Sequence, residues 1–105
     1  MPTEEAIAEA GRILAAAAHA PARVILFGSW ARGEAGPDSD LDFLVIEREV
    51  GSKIDEMVRL RAVLPPLGVP VDVLVFSQEQ AEAWGRVPGT VVHAALSEGR
   101  VVSER

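Results

Sequence analysis

The apolar positions of this 105-residue chain fall into blocks whose period changes from segment to segment. Ile7, Ala10, Ile13, Leu14 and Ala17 recur three and four residues apart, a single stripe that predicts a helix over 3–19. Thr3 is placed to cap it, Glu4 and Glu5 suit the positive end of its dipole, and Pro21 stops it. Val24-Ile25-Leu26-Phe27 is instead a continuous apolar run ending at Gly28, the pattern of a strand buried on both faces. Ser29 to Glu34 suits a short helix, broken by Gly33, Gly36 and Pro37. Leu41 to Ile46 is a second two-sided strand, closed by the charged Glu47-Arg48-Glu49. Residues 52–64 read as a helix with Ile54, Met57, Val58, Leu60 and Val63/Leu64 on its apolar side, ended by Pro65-Pro66. Val71 to Phe76 is a third apolar strand, and Ser77 suits the N-cap of a helix running to about Trp84. Pro88 to Leu96 predicts one more short helix, with Gly99 behind it, and Arg100 to Ser103 a last short strand.

Strands that are apolar on both faces need helices to cover them, so this order predicts an α/β (α+β) layer arrangement. Residues 1–105 are expected to form one domain, since 49% of the chain is apolar and no linker or repeat divides it.

Composition then narrows the chemistry. Sixteen acidic against ten basic residues leave a net charge of −6, the wrong sign for gripping a phosphate backbone, so no direct nucleic-acid partner is expected. There is no Cys, which excludes disulfides, Cys-ligated zinc and thiol catalysis. The apolar stretch over 13–22 carries His19 and Pro21, follows acidic residues, and falls short of the roughly 20 apolar residues of a membrane helix. The expectation is a cytoplasmic protein with no membrane partner. There is also no Tyr.

Three features are costly unless used. Gly28-Ser29 follows a buried strand and opens a short helix; Gly28 lets the backbone approach a ligand, and a helix N-terminus with a Ser hydroxyl suits a phosphate. Asp40 and Asp42 start the second strand two residues apart, so their carboxylates project to one face. Asp72 interrupts the third strand, where a lone carboxylate costs several kcal/mol unless paired or bound to a metal; its simpler reading is a strand-edge carboxylate facing water. If the second and third strands are neighbours, the three carboxylates converge. Their repulsion is reversed by a divalent cation, and oxygen-only ligands favour Mg²⁺ or Mn²⁺ over Zn²⁺. A phosphate cradle beside such a site suits in-line phosphoryl chemistry.

The string Phe27-Gly28-Ser29-Trp30-Ala31-Arg32-Gly33, followed by Ser39-Asp40-Leu41-Asp42, resembles the signature of the DNA polymerase beta-type nucleotidyltransferase superfamily. Its Gly-Ser-x-Ala-x-Gly form and the chain length are similar to the minimal nucleotidyltransferases, the MNT branch. Asp72, within Val71-Asp72-Val73, matches the third carboxylate. The resemblance covers nearly the whole chain. It implies the nucleotidyltransferase fold, a small mixed β-sheet with helices packed mainly on one face. It implies that Gly28 and Ser29 hold the β- and γ-phosphates of ATP and that Asp40 and Asp42 ligate a pair of Mg²⁺ ions. Asp72 would ligate the catalytic ion and help to activate the attacking hydroxyl. Arg32 lies one short helix from Ser29, either within reach of a phosphate or on a solvated helix face. The MNT branch further implies a HEPN-domain ribonuclease toxin as partner in a hetero-oligomer, silenced by transfer of AMP to one of its tyrosines, with this chain as antitoxin. Because the chain has no Tyr, a tyrosine acceptor must sit on another molecule. Two other readings are an antitoxin that neutralises its partner by binding alone, and nucleotidyl transfer to a small molecule.

The remaining candidates have simpler readings. Asp38 reads as a turn residue in Gly36-Pro37-Asp38-Ser39. His93 reads as a packed or surface histidine, and His19 as a helix C-terminal residue answering the dipole. Trp30 is a core residue, the flank of a nucleotide base or a partner contact; Trp84 reads as core. Arg59 and Arg61 read as a solvated helix face.

Overall fold

The structure is a computed structural model that describes residues 2–105; Met1, the first residue of the expected domain, lies outside the described residues. In chain order the elements are α1 (Glu4–Ala17), β1 (Ala22–Phe27), α2 (Ser29–Arg32), β2 (Leu41–Glu47) and α3 (Lys53–Ala62). They continue with β3 (Val71–Ser77), α4 (Gln78–Gly85), α5 (Val91–Glu98) and β4 (Arg100–Glu104). The Thr3 hydroxyl accepts from the Ala6 N–H (3.0 Å) and caps α1. Ser77 and Gln80 form a reciprocal capping box at the start of α4. Among the described residues no helix is long and apolar enough to cross a membrane.

The strands pair in the order β3-β2-β1-β4. β1 is antiparallel to both β2 and β4, whereas β2 and β3 are parallel. A parallel pair needs a crossover, and α3 supplies it. The sheet is thus mixed, and helices cover it as the two-sided apolar strands require. The larger core cluster joins Ile7, Ala10 and Leu14 of α1 and Leu60 of α3 to Leu26, Phe43, Val45 and Val75. The smaller one joins Ala81 of α4 and Val92 and Ala95 of α5 to Ile25, Leu44 and Ile46. Successive β2 side chains therefore feed opposite clusters, and each fully buried one contributes about 1.5–3 kcal/mol. Gly11 lets α1 press onto β4: a Cβ there would lie 2.7 Å from Val102 Cγ2.

Two expectations change. The apolar side expected for α3 is rolled around the helix axis: Glu56 and Leu60 face inward, while Ile54 and Val58 are 73% and 64% exposed. The inward position tolerates Glu56 because Arg59 meets both of its oxygens, at 2.7 and 2.8 Å. Second, Glu47 does not close β2 into solvent. It is its last residue, fully buried, paired in register with Ala22 and Ser77.

Candidate active site

The site begins where β1 ends. Gly28 has φ +76° and ψ −158°, a conformation open essentially to glycine alone. The β1–β2 register sets Phe27 opposite Asp42. A Cβ on Gly28 would run directly into Asp42 Oδ2. Glycine is thus required twice, by its dihedrals and by the carboxylate against it. The turn opens α2, with the Ala31 and Arg32 N–H groups both bonded to Gly28 O at 3.1 Å. Ser29 is the first helical residue, so its backbone N–H is among those a helix start leaves without an intrahelical partner. Gly33, left-handed at φ +73°, ends the single turn.

Asp42 and Asp72 are directly opposite in the parallel β2–β3 register, and strands in a sheet lie about 4.8 Å apart. Asp40 sits in the loop one residue before β2 rather than in the strand. Asp40 and Asp72 each act electrostatically on Asp42. Burial pushes the Asp42 carboxyl above the usual range, repulsion from Asp72 and Asp40 pushes it further, and Arg32 opposes them. Asp72 takes the simpler of its two readings: it is exposed on the edge strand, so no burial penalty attaches to it. The half-buried member of the set is Asp42.

Supporting contacts fix this rim. Trp30, half-buried against the larger core, donates its indole N–H to the Ser39 carbonyl at 3.0 Å. That bond ties the first turn of α2 to the residue before Asp40, so Trp30 combines core packing with anchoring of the loop. Ser39 Oγ accepts the Gly36 N–H at 2.8 Å and closes the turn, leaving Asp38 exposed as expected. Arg32 is held by Glu34 at 3.1 Å and Glu98 at 3.5 Å while it offsets the charge on Asp42. Arg61, read as solvated, donates to the Val71 carbonyl at 3.1 Å and fastens α3 beside Asp72.

Other residues move off their expected roles. His19 lies beyond the end of α1; its backbone N–H donates to Glu47 Oε2 at 2.7 Å. His93 stays structural: its Nδ1 lies 2.8 Å from the Gly85 carbonyl, which can only accept, so Nδ1 carries the proton. Trp84 is half exposed rather than core. A cluster the sequence reading missed is His19, Glu47 and Glu56, whose ligating atoms all lie within 4.8 Å of one another. The sequence signal was a carboxylate ending an apolar run at Glu47, but its partners are distant in the chain.

The sequence has a counterpart among known protein families. A family model described as nucleotidyltransferase domain matches residues 9–100, so the chain belongs to that nucleotidyltransferase family. None of the curated proteins searched matches it. Nucleotidyl transfer is therefore the chemistry of this fold. Asp40, Asp42 and Asp72 offer only oxygen, the ligand type a hard divalent cation takes, but their oxygens are not gathered within 4.8 Å of one another; among the described residues only the ligating atoms of His19, Glu47 and Glu56 are. The three aspartates would hold such an ion, and when bound it supplies charge neutralisation for the phosphates and a more acidic acceptor hydroxyl.

Proposed function

We propose that this domain is the antitoxin of the MNT type, moving AMP from ATP to a tyrosine hydroxyl of a HEPN-type toxin in a Mg²⁺-dependent reaction (Mn²⁺ as substitute). The observation that carries the reading is the register pair of Asp42 and Asp72 with Gly28 packed against Asp42. The acceptor oxygen forms a bond to the α-phosphorus, the bond to the β-phosphate oxygen breaks, and pyrophosphate leaves. Asp72, exposed at the sheet edge, takes the acceptor's proton. The Gly28–Ser29 turn binds the departing phosphates, and Arg32 shares their charge. No tyrosine occurs in these 105 residues, so a tyrosine acceptor lies outside them. Asp72 borders an open groove of about 460 Å³ between α3 and β3, lined also by Met57, Val58 and Arg61. A shallow, apolar-sided approach of this kind suits a protein surface better than an enclosed small molecule.

The test is incubation with ATP, Mg²⁺ and the protein encoded by the neighbouring gene, read by intact mass. A gain of one AMP on the partner, absent with Asp42→Ala, is expected. No adduct with the wild-type protein sinks the reading. Neutralisation of the toxin by Asp42→Ala at ordinary stoichiometry would instead establish an antitoxin that works by binding.

A further inference from the structure

At the opposite end of β2 from the aspartates, Glu47 is fully buried. One oxygen, Oε2, accepts the His19 N–H; the other, Oε1, has no hydrogen-bond partner. An unpartnered buried carboxylate oxygen is costly and needs a cause. Glu47 lines a cavity of about 300 Å³ with His19, Glu49, Asp55, Glu56 and Arg59. Those groups bring four carboxylates against one guanidinium and one imidazole, a field that favours a cation. His19 Nε2 lies 3.7 Å from Glu56 Oε2, and a carboxylate oxygen of Glu47 completes a trio whose ligand atoms lie within 4.8 Å of one another.

We propose that His19, Glu47 and Glu56 form a second divalent-cation site, separate from the aspartates and built for Zn²⁺. Ligand atoms around a tetrahedral Zn²⁺ are about 3.3–3.6 Å apart, given metal–ligand distances of about 2.0–2.2 Å. The trio needs to contract by roughly 1 Å to reach that spacing. One imidazole with two carboxylates leaves the fourth position to water and selects Zn²⁺ over Mg²⁺, which prefers oxygen alone. Arg59 holds Glu56 through both oxygens, but its side chain is 43% exposed and its stem is flexible. It can turn to solvent and give up one oxygen. A bound ion would join the chain after α1, the end of β2 and the first turns of α3.

The competing account is that Glu47 holds a proton which it shares with Glu56. Burial and the neighbouring Glu56 do push the Glu47 carboxyl up, so Zn²⁺ would have to displace that proton. The two accounts are separated by titrating Zn²⁺ alone, without nucleotide, into the full chain. The readouts are the imidazole nitrogen signals of the two histidines, together with the melting temperature. Saturation of His19 at one equivalent, an unmoved His93 and a higher melting temperature are expected. His19→Ala, at an exposed position, and Glu47→Gln should each weaken binding at least tenfold. Asp42→Asn should leave the His19 response intact, which keeps this site distinct from the nucleotide site. No change at His19, a response that survives Glu47→Gln, or one that vanishes in Asp42→Asn overturns the proposal.

Discussion

Replacing Gly28 with Ala tests the central geometry, because the structure provides its own control. Gly28 and Gly33 bracket the same short helix, at φ +76° and +73°. A Cβ at Gly33 meets nothing within 4 Å, whereas one at Gly28 meets the Asp42 carboxylate. Gly33→Ala therefore carries the left-handed backbone cost alone, about 1–2 kcal/mol. Gly28→Ala carries about 1–3 kcal/mol of backbone strain and adds a steric term; with Asp42 turning aside to relieve part of it, the total is about 2–4 kcal/mol. For a domain of this size about 1 kcal/mol moves the melting temperature by roughly 4–5 °C. Calorimetry should give a drop of about 4–10 °C for Gly33→Ala and about 8–20 °C for Gly28→Ala. The activity contrast should be larger. Turning Asp42 aside misplaces it by about 1 Å, which costs on the order of 100-fold in kcat/KM, while Gly33→Ala stays within about threefold. Equal losses for the two variants in both assays would refute the claim that Gly28 exists to admit Asp42.

Mg²⁺ with ATP at about 100 times the dissociation constant should stabilise the wild-type protein by about 2.7 kcal/mol, visible as a raised melting temperature, and Asp40→Ala should abolish the rise. Trp30→Phe keeps the ring but loses the bond to Ser39, so it should cost about 1 kcal/mol in denaturant unfolding and lower kcat more than it raises KM. Stability measured in chelator should depend on pH in two opposed ways. Arg59 holds the Glu56 carboxyl down to about 2, so its contribution is complete above the ordinary value of 4.5 and is lost as pH falls from there towards 2. Burial raises Glu47 and Asp42, so their native forms bind protons first, and stability should climb as pH falls from neutral towards 4.5. Glu47→Gln and Asp42→Asn should each flatten that climb, and a curve unchanged by either would contradict the burial argument.

What could be read from the sequence was local. The strand, turn and short helix from Val24 to Gly33 are written in consecutive residues, and so is the Asp40-x-Asp42 pair. The neighbourhood of Asp42 and Asp72 followed once the second and third strands were taken as neighbours. Burial was harder to read. Asp72 lies in an apolar strand and could be enclosed or face water; β3 is an edge and Asp72 faces outward. The direction of α3 was misread because Ile54 and Val58 outweigh a Glu on any hydrophobic scale, whereas Arg59 makes Glu56 acceptable inside. Glu47 needed His19, 28 residues away, and no periodicity reports a contact of that span.

β2 also acts as a spacer. Its interior from Phe43 to Ile46 is buried, so it cannot bend or slide without opening both cores. Asp42 and Glu47 are thus held five residues apart, about 17 Å between Cα atoms, and on opposite faces of the sheet. At an effective dielectric of about 20, unit charges that far apart interact by only about 1 kcal/mol, so the charge gathered at one end is weakly felt at the other. An acidic domain can in this way carry two carboxylate clusters on one strand and adjust the charge of either without resetting its counterpart.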